Sequence, residues 1–364
     1  MPLRRSFLLP GHGLSLLSSS SSPSSPARWA PTKLRVSCSL CSLRSTFPAR
    51  PYTSVMIVPT GVGAAIGGYA GDALPVARAL ASVVDCLISH PNVMNAAMLY
   101  WPMPNALYVE GYALDKFAEG SWALQPVHQN KVGLVLDAGM EEELQIRHLQ
   151  VADAARASLG LPVMEYTRTD MPLMGVDSLA GVEAVISHLV VEEFQIPCAH
   201  APALSSLPLT KSLCPKSAAE EIGYTFLPCV LAGLSRAPQY IIRKSGGTEI
   251  GCILSSDVDS VVLPIDTFGG KGALAFARGS RNKAFMIAVE ENDTVLNDTP
   301  DKLGIDAIKV SNYWEAIGVV AAHKAGIDPK SLRKGIDNIK QSPLPGSFGL
   351  NVSPPSLHDE IYSY

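Results

Sequence analysis

Acidic residues are missing from the start of this chain: no Asp or Glu precedes Asp72. Charge is sparse throughout, with 17% Asp, Glu, Lys and Arg against 47% hydrophobic residues among 364. That balance excludes a disordered polar chain and leaves enough apolar side chain for a large buried core. Long apolar runs are lacking too. The longest without charge, Tyr224 to Leu234, has eleven residues, against the roughly 20 that a bilayer-spanning helix needs. No Gly-x-Ser-x-Gly elbow, H-E-x-x-H pair or complete P-loop occurs, so serine-hydrolase, zincin and Walker-type chemistry have no motif to stand on.

The first fifty-five residues differ in composition from the rest. They hold fourteen serines, including the run Ser18 to Ser22, and seven basic residues: Arg4, Arg5, Arg28, Lys33, Arg35, Arg44 and Arg50. A Ser-rich, Arg-bearing leader without acid is the pattern of an organellar transit peptide. A secretory signal needs a continuous apolar segment, yet Phe7 to Leu9 is cut off by Pro10 and Leu14 to Leu17 runs into serines. Arg35-Val36-Ser37-Cys38-Ser39 resembles a plastid processing site, so the expected mature start lies between about 38 and 54, with the chloroplast stroma as destination. The remaining chain carries twenty-two basic against thirty-three acidic residues. No basic patch survives, which removes the electrostatic footprint of a nucleic-acid binder. Its five cysteines, Cys86, Cys198, Cys214, Cys229 and Cys252, are widely spaced and read as free thiols of a reducing compartment.

Beyond the leader, apolar runs alternate with helical periodicity. Val55 to Pro59 reads as a strand, followed by the Gly-rich segment Gly61 to Gly71 and by a helix over Asp72 to Ser89. Val132 to Leu136 reads as a strand, with Asp137 as the expected cap of a helix over Glu141 to Leu159. Leu161 to Tyr166 reads as a strand and Ser178 to Phe194 as a helix. Ser217-Ala-Ala-Glu220 is a capping box opening a helix to about Leu234. Gly251 to Leu254, Ser260 to Ile265 and Ala284 to Val289 read as strands, Ala273 to Arg278 and Asn312 to Lys324 as helices. This alternation predicts an α/β fold, a mainly parallel sheet with helices on both faces in Rossmann-like fashion. The expected division is a leader over 1–54, subdomains over 55–175 and 176–341, and a Pro-rich tail over 342–364.

Three Gly-rich segments sit where a ligand loop belongs. Thr60 to Gly68 lies between a strand and a helix, and Gly61, Gly63, Gly67 and Gly68 would let backbone N–H groups approach a phosphate. Its spacing is not G-x-G-x-x-G, and no acidic residue ends a second strand about twenty residues on. Asp266-Thr267-Phe268-Gly269-Gly270-Lys271-Gly272 offers backbone donors and one ammonium, also for an anion. Gly246-Gly247-Thr248 is a fainter third case. Either glycine loop serves equally as a tight structural turn. In a parallel sheet, loops at the carboxyl ends of strands converge. His200, beside Cys198, is the expected acid–base residue, with Asp266 or Glu290 as its partner. His188, Glu192, Cys198 and His200 have donor types that suit a metal, but the spacing is weak, and no metal is assigned. Ser89-His90-Pro91-Asn92 and Glu290-Glu291-Asn292 are further polar clusters at element ends.

Ile57 to Asp72, Tyr100 to Gly111, Arg147 to Ala155, Ile196 to Leu204 and Glu220 to Pro228 together resemble an uncharacterised protein family shared by cyanobacteria and plant plastids. The resemblance covers residues 55–364 and implies a plastid address, with no established reaction to carry over. Thr169 to Gly181 departs from the pattern. The resemblance implies a further stretch of several tens of residues between the Pro172 and Gly175 regions, so the chain looks like a shortened plant member lacking about one strand–helix unit.

The leading expectation is an enzyme that binds a phosphorylated or nucleotide-like small molecule at the sheet's carboxyl edge, its cofactor unknown. A nicotinamide-dependent oxidoreductase and a non-catalytic ligand sensor or assembly factor are the alternatives. No nucleic-acid partner and no membrane span are expected, and a homo-oligomer is allowed for.

Overall fold

The computed structural model describes residues 50–58, 66, 72–90, 93–127, 130–169, 176–201, 225–243, 251–279 and 283–333, all within one unit, Leu43–Tyr364. Its centre is a six-stranded sheet of β1 (Thr53–Met56), β2 (Cys86–Ser89), β3 (Ala106–Tyr108), β8 (Val258–Pro264), β9 (Phe285–Val289) and β10 (Ile308–Val310). The spatial order is β10-β9-β8-β1-β2-β3, and every neighbouring pair is parallel.

Alternation along the strands divides the core in two, because successive strand residues point to opposite faces. Met56, Leu87, Val262 and Ile287 face one cluster, together with α1 (Leu74–Val83), α2 (Val93–Tyr100) and α9 (Tyr313–Lys324). Val55, Ile88, Val261, Leu263 and Met286 face the other, with α3 (Gly111–Ala118) and α7 (Lys271–Arg278). A parallel sheet covered on both faces is the α/β, Rossmann-like arrangement that the alternation of elements predicts.

Between β3 and β8 the chain makes a large excursion. β4 (Trp122–Gln125) pairs antiparallel with β7 (Gln239–Ile242). β5 (Val132–Leu136) pairs parallel with β6 (Val163–Arg168), and the two form a sheet of their own. Helix α4 (Glu142–Leu159) packs through Ala152 and Ala155 on Leu227, Val230 and Leu231 of α6 (Leu227–Leu234). Helix α5 (Val176–Phe194) follows β6. This region leaves much apolar surface open. Val135, Met164 and Tyr166 of β5 and β6, and Val185, Ile186, Leu189 and Phe194 of α5, are exposed.

Several local expectations are corrected. The helix expected over Asp72 to Ser89 ends at Val83, and its last residues form β2. The break comes at Asp85, whose carboxylate accepts the Tyr52 N–H at 2.8 Å and ties the chain to the start of β1. Asp137 does not cap α4. Its Oδ1 accepts the Gly139 N–H at 2.6 Å within a turn, and the helix starts after Glu141. Gly251 to Leu254 is not a strand: a single bridge joins Ile253 to Leu124 before a 3₁₀ turn at Ser255–Asp257. The capping box at Ser217 to Glu220 lies outside the described residues. Four described cysteines, Cys86, Cys198, Cys229 and Cys252, are free thiols. No described helix is long and apolar enough to cross a membrane.

Candidate functional site

Counted in chain order, the six strands run 3-2-1-4-5-6 across the sheet. The order reverses between β1 and β8, and ligands of open α/β sheets bind in the crevice outside the carboxyl ends at such a switch point. The two glycine segments singled out in the sequence follow these two strands. Gly61, Gly63, Gly67 and Gly68 themselves lie outside the described residues, as does Gly246-Gly247-Thr248. Two hydrogen bonds nevertheless anchor the first segment. The Val58 N–H donates to His90 Nε2 at 3.0 Å, just beyond the end of β2. The Ile66 N–H donates to Asn292 Oδ1 at 2.9 Å, beyond the end of β9. Asn292 is buried and donates from Nδ2 to Tyr313 Oη at 2.8 Å. Desolvation pushes the His90 imidazole down to about 4, so the ring is neutral and accepts at Nε2.

The second segment is closed from within. Gly270 is the N-cap of α7, and the Gly272 N–H donates to Asp115 Oδ1 of α3 at 2.8 Å. A Cβ at Gly269 would meet the carboxylate of Asp298, so glycine there permits close approach rather than a turn. Lys271 is exposed. One donor of this helix end is thus already satisfied by the protein's own carboxylate.

The expected acid–base set is not assembled as such. Asp266 is buried, and its carboxylate accepts from Thr294 N at 2.6 Å and Thr294 Oγ1 at 3.1 Å, which makes it a clamp on the loop after β9. Glu290 is exposed at the end of β9. Among the described residues no hydrogen bond or ion pair joins either of them to His200. His200 instead lines a cavity of about 180 Å³ with Tyr108, Glu110, Ser187, His188, Cys198, Ala199 and Val230.

This cavity lies at the carboxyl end of β3. Glu110 follows that strand and caps α3, its Oε2 accepting the Tyr112 N–H at 2.8 Å. Its Oε1 lies 3.5 Å from His188 Nδ1. Tyr112 stacks edge-on against the His188 ring at 4.7 Å, so α5 is seated on α3 at this point. The Ser187 hydroxyl is 3.1 Å from His200 Nδ1. The chain reaches His200 by turning at Gln195, whose φ of 53° lies in the left-handed region. Its side chain donates to the carbonyls of Glu192 and Glu193, which supports that turn.

Burial governs the electrostatics. It raises the Glu110 carboxyl against the pull of backbone N–H groups and His188, raises the Cys198 thiol and lowers His200. The cavity therefore holds a carboxyl of raised proton affinity, a neutral imidazole and a protonated thiol. The Tyr108 hydroxyl is buried and has no hydrogen-bond partner. Among the described residues no group of His, Cys, Asp and Glu is arranged to hold a metal ion.

Comparison with known proteins fits this picture of an unassigned site. A Synechococcus sp. protein named as an uncharacterized lipoprotein is 49% identical over 345 aligned positions, covering 79% of this chain and 94% of the relative. Because 79% of 364 residues falls short of 345 positions, the alignment runs through a stretch of the relative that has no counterpart here. No solved structure matches the chain. A family match comes in two pieces, residues 53–174 and 173–333, which meet between β6 and α5. Together these pieces span most of the sequence, and the chain belongs to the family described as "Protein of unknown function (DUF3326)".

Proposed function

We propose that this chain is an enzyme of the plastid stroma that holds a phosphorylated or nucleotide-like small molecule across the carboxyl edge of its sheet. The observation that carries this reading is the reversal of strand order between β1 and β8, with a glycine segment following each strand. The β1 segment, with Gly61, Gly63, Gly67 and Gly68, is the better phosphate cradle, because the Gly272 N–H is taken by Asp115. Lys271 supplies a positive charge near the second segment. Proton transfer falls to His200, with Glu110 and His188 in place of Asp266 and Glu290. Neighbouring strands lie about 4.8 Å apart, so the ends of β3 and β1 are separated by roughly 10 Å, within reach of one extended ligand. The stromal address rests on the acid-free leader and on a family match that begins only at residue 53.

Native mass spectrometry of the purified full chain, with ³¹P NMR of material released on denaturation, tests the ligand class. A phosphorus-bearing small molecule at near-equal stoichiometry is expected, and a Lys271→Ala variant should retain less of it. His200→Ala should keep binding and lose turnover. Protein that retains nothing and gains no thermal stability from any nucleotide would oppose the reading and favour a structural or assembly role.

The 3-2-1-4-5-6 order also favours a second reading, a nicotinamide-dependent oxidoreductase. Against it, β2 ends in Ser89-His90 rather than in the acidic residue that holds a ribose. Quenching of NAD(P)H fluorescence on titration with the protein would favour this second reading.

A further inference from the structure

The cavity at the end of β3 has a polarity that the anion reading of the glycine loops does not explain. Among the described residues its lining includes a carboxyl, two imidazoles, a thiol and two hydroxyls, and neither Lys nor Arg. These described walls hold no fixed positive charge to balance a phosphate or carboxylate group, and an ionised Glu110 would repel one. The Tyr108 hydroxyl adds a second fact. Tyr108 is fully buried in the wall of this cavity, and its oxygen makes no hydrogen bond among the described residues. An unpaired buried hydroxyl is costly, and phenylalanine at this position would avoid that cost.

We propose that this cavity is a binding site for a neutral or cationic hydrogen-bonding group, an alcohol or an amine. Such a group donates to Glu110 Oε1 and pairs with the Tyr108 hydroxyl. His200 Nδ1 is engaged by Ser187, which leaves Nε2 as the ring atom free to meet a ligand. A hydroxyl fits this set because it donates to a carboxylate and accepts from a phenol, and an ammonium fits it by donating to both the carboxylate and the phenol oxygen. The site takes no second anion. A ligand that extends from the switch point would therefore be bipolar, with phosphate at one end and alcohol or amine at the other. That last statement rests on the proposed phosphate site, whereas the cavity's own preference does not.

Cys198 reports occupancy, since it lines the same cavity and is a partly exposed free thiol. Iodoacetamide alkylation of Cys198 in the full chain, followed by peptide mass mapping, is measured with ethanolamine, glycerol, acetate or inorganic phosphate present. Ethanolamine or glycerol is expected to slow alkylation several-fold in the wild type and much less in Tyr108→Phe or Glu110→Gln. Acetate and phosphate are expected to leave it unchanged. Tyr108→Phe is also expected to unfold at the same or a higher denaturant concentration than wild type, which separates lost binding from lost folding. Equal protection by acetate, or full protection by ethanolamine in both variants, would overturn the proposal. So would a clear loss of stability in Tyr108→Phe. Failure of phosphate to bind at the switch point would leave these readouts unmoved, so the two ideas fail separately.

Discussion

The carboxylate of Asp115 on α3 accepts the backbone N–H of Gly272 at 2.8 Å and closes the first turn of α7. A side chain from one helix thereby satisfies the end of another, on the face of the sheet where both helices pack. Asp115→Ala should cost about 1 kcal/mol by urea unfolding, the usual loss on removing a helix cap, and Asp115→Asn much less. Gly269→Ala should cost more, roughly 1–3 kcal/mol, because the added methyl meets the Asp298 carboxylate. Phe268 and Asp298 hold that contact in place through a backbone hydrogen bond of 2.9 Å.

Glu110 combines a cap with a raised carboxyl, and the two roles separate by substitution. Glu110→Gln keeps an oxygen for the Tyr112 N–H, while Glu110→Ala removes it and should cost about 1 kcal/mol. Burial lifts the folded-state affinity of Glu110 for its proton above the ordinary value of 4.5. Its favourable contribution is therefore complete below about 4.5 and is lost as pH rises through the folded value. Unfolding curves should place Glu110→Gln at or above wild type at pH 7, with the gap closing in acid. A gap that widens in acid would contradict this assignment.

His90 titrates in the opposite sense. Its folded value, about 4, lies below the ordinary 6.5, so its contribution is present above 6.5 and is lost as pH falls toward 4. The expected loss is roughly 1–3 kcal/mol. Histidine NMR should find the ring neutral at pH 5.5, and the Val58 amide should become less protected from exchange as the ring protonates. A ring that titrates near 6.5 would show that the Val58–His90 bond does not hold the start of the glycine segment.

What the sequence disclosed about the fold depended on how local the signal was. β8, β9, α4, α5 and α9 stand out because each carries its own apolar run or period. β2 was hidden, since Cys86-Leu-Ile-Ser89 continues the apolar spacing of α1 and no Gly or Pro marks the break at Asp85. β3 and β10 have three residues each, too short for alternation to register. In the site, His200 was legible as a polar residue in a loop, and its surroundings were not. Tyr108 and Glu110 lie ninety or more positions earlier and reach it through packing of α5 on α3. The one available signal was the Glu110-Gly111 step at the end of a short apolar run, which fits a strand followed by a helix cap.

The seam in the family match gives a prediction about stability. It falls between β6 and α5, and the apolar residues left open lie on both sides of it: Met164 and Tyr166 before, Val185, Leu189 and Phe194 after. Among the described residues β5 and β6 form a sheet of two parallel strands, which is unusual, since parallel sheets are ordinarily covered. Inserting at residues 173–174 the stretch that the Synechococcus relative has and this chain lacks should lower binding of a hydrophobic dye and raise the melting temperature by several degrees. Unchanged dye binding would mean that the inserted stretch lies elsewhere and that these faces are covered in another way.

The central claim is that the carboxyl edge of the six-stranded sheet holds a small molecule through the segment after β1. Hydrogen exchange of the full chain, read by mass spectrometry with and without the ligand recovered by native mass spectrometry, tests it most directly. The account predicts slower exchange in peptides spanning Val58 to Asp72 and Ile265 to Lys271, with α4 and β6 unaffected. Protection confined to α4, β5 and β6, or spread evenly over the chain, would contradict it.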